Sequence, residues 1–222
     1  MRNLKAFTLA EILVTLAIVG IVAALTIPSL INEITDAQLA AKWKKTFAEL
    51  SDATIRITMN GSEIDTSSHT NLRDDYAEVM NFIVTDDFRV LLGSGITYKY
   101  YKGNSFWDAS AGANWAAVRL PNGAIVAFYR YSTTCDYTSI LAYGGGTLTG
   151  ICAELEVDVN GADPPNTVGK DYFMGWLIKK SSAYVLVPAG ANNDGTSCVA
   201  GGNTWKTSLG CSKYAFQGDV LP

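Results

Sequence analysis

Histidine is nearly missing from this chain: its 222 residues contain one, His69. Cysteine is absent until Cys135, and the four cysteines present (Cys135, Cys152, Cys198 and Cys211) include no Cys-x-x-Cys pair. These absences speak against a zinc centre, which draws its ligands from closely spaced Cys and His. No Gly-x-Ser-x-Gly and no His-Glu-x-x-His occurs, so the serine-nucleophile and metalloprotease patterns are missing. His69 lies in a Ser/Thr/Asn-rich stretch and reads as a solvated loop residue. Gly144-Gly145-Gly146 lacks the Lys-Ser/Thr of a phosphate loop and reads as a loop tip. Basic charge is not in excess: the net charge is −4 and the pI about 5.0, so no nucleic-acid partner is expected. No internal repeat or long low-complexity linker is visible. The chain reads as a non-enzyme without a required cofactor.

A second absence is more informative. Residues 12–31 contain no charged side chain, and an apolar run covers residues 7–30. About 20 apolar residues suffice to cross a bilayer. One acid, Glu11, sits near the start of the run, behind a six-residue leader carrying Arg2 and Lys5. A carboxylate inside a membrane segment costs about 2.5–3.5 kcal/mol on insertion scales, which marks it as functional. Positive flanking charge stays on the cytoplasmic side, so the remainder of the chain is expected outside the cytoplasm. A secretory signal peptide wants a shorter apolar core and a small-residue cleavage site after it. Here Pro28-Ser29-Leu30-Ile31-Asn32 follows instead. A plain membrane anchor explains the length and the flank but not Glu11.

Lys5-Ala6-Phe7-Thr8-Leu9-Ala10-Glu11 resembles the processing site of type IV prepilins and type II secretion pseudopilins. The resemblance covers about the first 35 residues. It implies cleavage between Ala6 and Phe7 by a membrane peptidase and N-methylation of Phe7. It makes Glu11 the fifth residue of the mature chain, where that family carries its glutamate. Gly20 and Pro28 fall where such helices commonly have a glycine and a proline. Ala6 departs from the more usual glycine. Loss of Arg2 and Lys5 with the leader takes the net charge from −4 to −6.

Cleavage would leave a positive amine on Phe7. A buried charge is tolerable when paired and hydrogen-bonded, and such pairs are best attested as selectors of register. Glu11 is therefore expected to meet the Phe7 amine of a neighbouring subunit at one axial offset. The alternative is a carboxylate that snorkels to the interface and pairs with nothing specific.

Helical spacing continues beyond the apolar run. Leu39, Trp43, Phe47, Leu50, Thr54 and Ile57 share one face, with Lys42, Lys44, Lys45, Glu49, Asp52 and Arg56 mainly off it. A helix over residues 8–57 would be roughly 75 Å long. Pro28 removes one of its backbone bonds and should kink or loosen it. Asn60-Gly61 marks its end. A short helix is predicted over 72–83, a hairpin over 116–120 and 124–130 around Pro121-Asn122-Gly123, and strands over 172–178 and 184–187. Residues 151–159 alternate, with Ile151, Ala153, Leu155, Val157 and Val159 opposite Cys152, Glu154, Glu156 and Asp158. The fold class is thus α+β: a long N-terminal helix, transmembrane and then amphipathic, packed on an antiparallel sheet in a pilin-like head. About 160 residues is enough for one core.

The four cysteines lie in the part placed outside the cytoplasm, where an even count argues for disulfides. They allow three connectivities. The local pairs Cys135–Cys152 and Cys198–Cys211 are favoured because each closes a short loop. Such a bridge stabilises by about 3 kcal/mol in the chain-entropy model. The resemblance implies that the second staples the C-terminal loop. Asp158, Asn160 and Asp163, with Asp171 further on, are candidate calcium ligands. The competing reading is a polar turn, since the bidentate Glu that closes an EF-hand is missing.

The organisation read from the sequence is a leader (1–6), a transmembrane and filament-core helix (7–35) and a head (36–222). The function expected from the resemblance is a structural subunit of an extracytoplasmic type IV pilus-like filament, single-pass in the membrane before assembly. Its expected partners are copies of itself or other pilins, the prepilin peptidase, and the inner-membrane assembly platform with its ATPase. The alternatives are a type II secretion pseudopilin, a membrane-anchored adhesin or ligand-binding protein, and an anchored hydrolase.

Overall fold

The computed structural model describes residues 8–59, 61–93, 96–100, 105–108, 115–138, 148–190, 198 and 208–217, the side chains of residues 29, 32–34 and 105–108 excepted. The chain divides into two units, Met1–Gln38 and Leu39–Pro222.

The first unit is the start of α1 (Leu9–Thr58), a helix that contains Gly20 and Pro28 without interruption. Its stretch Leu9–Pro28 is long and apolar enough to span a membrane, with a mean hydropathy of 2.4, and none of it is buried. Leu16 and Val19 are 63% and 64% exposed. Apolar surface left in water forfeits about 25 cal/mol per Å², so this surface calls for lipid or other helices. The few polar side chains here are satisfied locally. The hydroxyls of Thr15 and Thr26 donate to the carbonyls of Ile12 and Val22, each at 2.9 Å, a bonding pattern that suits apolar surroundings.

The second unit is built on a six-stranded antiparallel sheet. Its strands are β1 (Val84–Asp87), β4 (Ala116–Arg119), β5 (Ile125–Arg130), β6 (Ile151–Asp158), β7 (Tyr172–Lys180) and β8 (Ala183–Pro188). They lie side by side in that order. One face packs on α1 and on α2 (His69–Ala77). The helical spacing from Leu39 to Thr54 becomes the contact: Leu39, Trp43, Phe47, Leu50 and Thr54 are buried, and Ile57 packs at the margin. Trp43 stacks on Phe173 with ring centroids 5.0 Å apart, and its Nε1–H donates to the Ser212 carbonyl at 2.8 Å. The Thr54 and Tyr76 hydroxyls share a buried hydrogen bond of 2.7 Å, joining α1 to α2. At the hairpin turn, Asn122 donates to the Thr46 hydroxyl at 3.1 Å and Gly123 takes a φ of 89°, a conformation that favours glycine.

The other sheet face is buried as well. It is covered by α3 (Phe88–Leu92), by β2 (Thr97–Lys99), which pairs with β3 (Ser105–Asp108), and by Leu148, Val168, Ala189 and Leu209. A further helix, α4 (Cys211–Gln217), carries Ala215 into the α1-side core. Antiparallel sheets commonly leave one face to solvent; here both are enclosed along the middle strands, and every residue of β6 is buried, while β1 and β8 at the edges keep exposed residues.

Several expectations are corrected. The short helix begins at His69, capped by the Ser68 side chain bonding the Asn71 N–H, and ends at Ala77 rather than near residue 83. Residues 78–83 are turns and irregular chain that lead into edge strand β1, which begins at Val84 and pairs with β4. The period-two reading of β6 fails at its start. A bulge between Ile151 and Ala153 turns Ile151 to the outer layer and Cys152 to the α1 side, because an extra residue in one strand reverses the facing of what precedes it. The triglycine 144–146 lies outside the described residues.

Candidate functional site

Glu11 is held by the residue that precedes α1. Its Oε2 accepts from the Thr8 backbone N–H and from the Thr8 hydroxyl, both at 2.8 Å, and its own N–H donates to the Thr8 Oγ1 at 3.3 Å. This reciprocal arrangement is a capping box, with Thr8 at the N-cap and Glu11 at the third helical position, and it satisfies two backbone donors left over at the helix start. Thr8 is a residue that the reading of the sequence missed. The signal for it was present, because Thr-x-x-Glu before an apolar run is itself a capping signature. The expected cleavage pair Ala6 and Phe7 lies outside the described residues.

The disulfides join Cys135 to Cys152 and Cys198 to Cys211. The first ties the segment after β5 back to β6. The second ties position 198 to the start of α4.

The calcium candidates sit in the turn between β6 and β7. Asp158 Oδ1 accepts from the Asn160 N–H at 3.2 Å. Asp171 accepts from the N–H groups of Asn166 and Thr167, both at 2.6 Å. Asn160 Nδ2 donates to the carbonyls of Asp163 and Pro164. The Asp163 side chain is exposed, whereas Asp158 and Asp171 are buried. The amide oxygens of Asn160 and Asn166 are buried without a hydrogen-bond partner. Among the described residues, no three His, Cys, Asp or Glu side chains are grouped as a metal ion would need.

His69 is not a solvated loop residue. It opens α2, its ring stacks on Tyr129 with centroids 4.9 Å apart, and its Nδ1 accepts from the Arg130 N–H at 2.9 Å. Burial and the neighbouring Arg130 charge lower its pKa.

The outer sheet face holds an arrangement that the alternation of β6 concealed. Glu154, Glu156 and Asp158 lie two residues apart on one face of the central strand, each less than 5% exposed. Each accepts a tyrosine hydroxyl: Tyr131 at 2.9 Å to Glu154, Tyr172 to Glu156, and Tyr98 at 2.5 Å to Asp158. Burial raises the pKa of all three: Glu154 to about 7, and the other two well above the usual carboxylate range, helped by like charge from Glu154 on Glu156 and from Asp171 on Asp158. Burial also lifts Asp171 to about 6, against the pull of its backbone hydrogen bonds.

Comparison with known families bears on the N-terminal segment. Residues 1–27 match the model of the prokaryotic N-terminal methylation motif, the prepilin-type signal of type IV pilins and pseudopilins. The match includes the leader, the junction of Ala6 with Phe7, Glu11 and most of the apolar span. The motif supports a type IV pilin- or pseudopilin-like precursor, and the α+β arrangement fits a pilin-like fold. No curated protein and no solved structure matched the chain.

Proposed function

We propose that this protein is a structural subunit of an extracytoplasmic type IV pilus-like filament. The observation that carries the reading is a prepilin-type signal running directly into an apolar helix with no buried residue. A helix exposed on every side needs lipid before assembly and neighbouring helices after it. A membrane peptidase cuts between Ala6 and Phe7, Phe7 is N-methylated, and the mature chain passes from an inner-membrane platform into the filament. Glu11 then exchanges its cap for the Phe7 amine of a neighbouring copy. The head stays outside the cytoplasm, where its disulfides persist. Its role is mechanical, and it requires no catalytic residue.

Mass spectrometry of the protein from its native membrane provides the test. An N-terminal methyl-Phe7 together with surface filaments containing the protein is expected. An unprocessed Met1 terminus would refute the reading. Processed protein with a secretion defect on deletion, and no filaments, would move it to the type II secretion pseudopilins.

A further inference from the structure

The side of α1 that the sheet leaves uncovered carries a charge pattern that the packing of one head does not use. Leu39, Trp43, Phe47, Leu50 and Thr54 turn the other side of the helix into the core. On the uncovered side Lys42, Lys45, Asp52 and Arg56 are exposed and Glu49 is half-buried. Their positions advance by three, four, three and four residues, so they form one stripe along the helix. Ala41, Ala48 and Ile55 run beside the stripe and are exposed as well.

Every seven residues the stripe changes sign. Lys42 is followed by Glu49 and then by Arg56, and Lys45 is followed by Asp52. The flank keeps its apolar character over the same interval, from Ala41 to Ala48 to Ile55. Seven residues are about 10 Å of helix. Two parallel copies side by side in register would set like charge against like charge at every one of these positions, which is unfavourable. An advance of three residues sets Lys42 against Lys45 and Glu49 against Asp52. An advance of four matches two pairs, Lys45 with Glu49 and Asp52 with Arg56. An advance of seven matches three: Lys42 with Glu49, Lys45 with Asp52, and Glu49 with Arg56.

Within one chain these charges are loosely held. Lys45 lies 3.9 Å from Glu49 and Arg56 lies 3.0 Å from Asp52, and both pairs are open to solvent. Exposed pairs of this kind contribute little, so exchanging them for pairs between copies costs little. The small side chains of Ala41 and Ala48 let a second helix come close, since the distance between packed helices follows the side chains at the contact. The sheet lies on the other side of α1, so copies gathered round a common axis with their heads outward turn these stripes toward one another.

We propose that the stripe is a contact between copies of this chain, which sets neighbouring heads one seven-residue step, about 10 Å, apart along α1. The proposal rests on the filament reading above, in which every copy enters the same membrane from the same side and the helices are parallel. The charges decide the step and the small flank decides how closely the helices approach.

The test is charge exchange in cells that carry the full chain, with membrane level and Phe7 processing scored beside incorporation into filaments. Lys45→Glu and Asp52→Lys are each expected to lower incorporation at least about fivefold. The double variant that carries both is expected to return to within about threefold of native, because opposite charges again meet between copies. Within one chain the same exchange does harm twice, setting like charges at positions 45 and 49 and at positions 52 and 56. A stripe that acts only inside the chain therefore makes the double variant the worst of the three. Zero-length carbodiimide coupling of native filaments should join Lys45 of one copy to Asp52 of another, a linkage that a single helix cannot make across about 10 Å. Normal incorporation of either single variant, no recovery in the double variant, or absence of the Lys45–Asp52 linkage would overturn the proposal and leave the filament reading standing. So would coupling of Lys45 to a different protein in place of a second copy. Where a single variant does not accumulate, the coupling of native filaments still decides. Cells that carry the native chain and form no filaments would overturn the filament reading, and this contact with it.

Discussion

Replacing Glu11 by glutamine separates two functions that one carboxylate can serve. In the structure Glu11 closes a capping box with Thr8 through two bonds of 2.8 Å and one of 3.3 Å. Glutamine also suits the third position of such a box, so Glu11→Gln keeps the helix start and removes only the charge. Thr8→Ala does the reverse. It removes the hydroxyl and keeps the carboxylate, at about 0.5–2 kcal/mol for a lost cap. If Glu11 pairs with the Phe7 amine of a neighbour, the removal of one partner leaves the other charge buried, at about 3–5 kcal/mol. That is at least about a hundredfold in the equilibrium of subunit addition, since about 1.4 kcal/mol is tenfold. The assay is incorporation into filaments, scored with membrane level and Phe7 processing in the same cells. Glu11→Gln and Glu11→Ala are expected to insert and be processed but to stay out of filaments. Thr8→Ala should be incorporated within about thirtyfold of the native level, the upper end of that cap loss. Normal incorporation of Glu11→Gln, with failure of Thr8→Ala, would show that capping is what assembly requires and would refute the charge-pair argument.

Two further outcomes concern the head, both measured by guanidinium unfolding of the full chain in micelles. Trp43→Ala should remove about 3–5 kcal/mol, as expected for truncating a fully buried Trp. Trp43→Phe keeps most of the ring contact with Phe173 but leaves the Ser212 carbonyl without its 2.8 Å donor, for a loss of about 1–3 kcal/mol. Equal losses in the two would show that the hydrogen bond, not packing, fixes α1 to the head. Gly169 has a φ of 89°, and a Cβ there would lie 2.7 Å from the Ser208 carbonyl oxygen and 3.0 Å from the Cys211 Cβ. Gly169→Ala should therefore destabilise by more than about 1 kcal/mol, and an unchanged midpoint would contradict the close approach.

The elements legible in the sequence were those whose pattern is local. The apolar run became an exposed helix over Leu9–Pro28. The helical spacing from Leu39 to Thr54 became a buried face. The Pro121-Asn122-Gly123 turn became the β4–β5 hairpin. What stayed hidden depends on layers that the chain brings together from afar. Alternation in β6 looks the same whether its polar face meets water or a second layer. Only the packing of α3, β2 and Leu209 over it decides which. Helix α2 was misplaced because its start is set by Ser68, a side-chain cap, rather than by apolar spacing. The role of Thr8 stayed hidden because it rests on the geometry of the helix start, where its N–H and hydroxyl meet the Glu11 carboxylate, and not on apolar or charge spacing.

By itself the sequence determined the anchor. Twenty uncharged positions behind two basic residues, with one acid at the boundary, fix a segment that water does not favour, and this follows from composition and order alone. The tertiary structure decided the fate of the acids further along. Glu154, Glu156 and Asp158 have the composition of a solvated strand face, yet they are buried and each accepts a tyrosine hydroxyl from another segment of the chain. The charge state of a carboxyl group depends on its solvent and neighbours, and for these three both are supplied by residues distant in the chain.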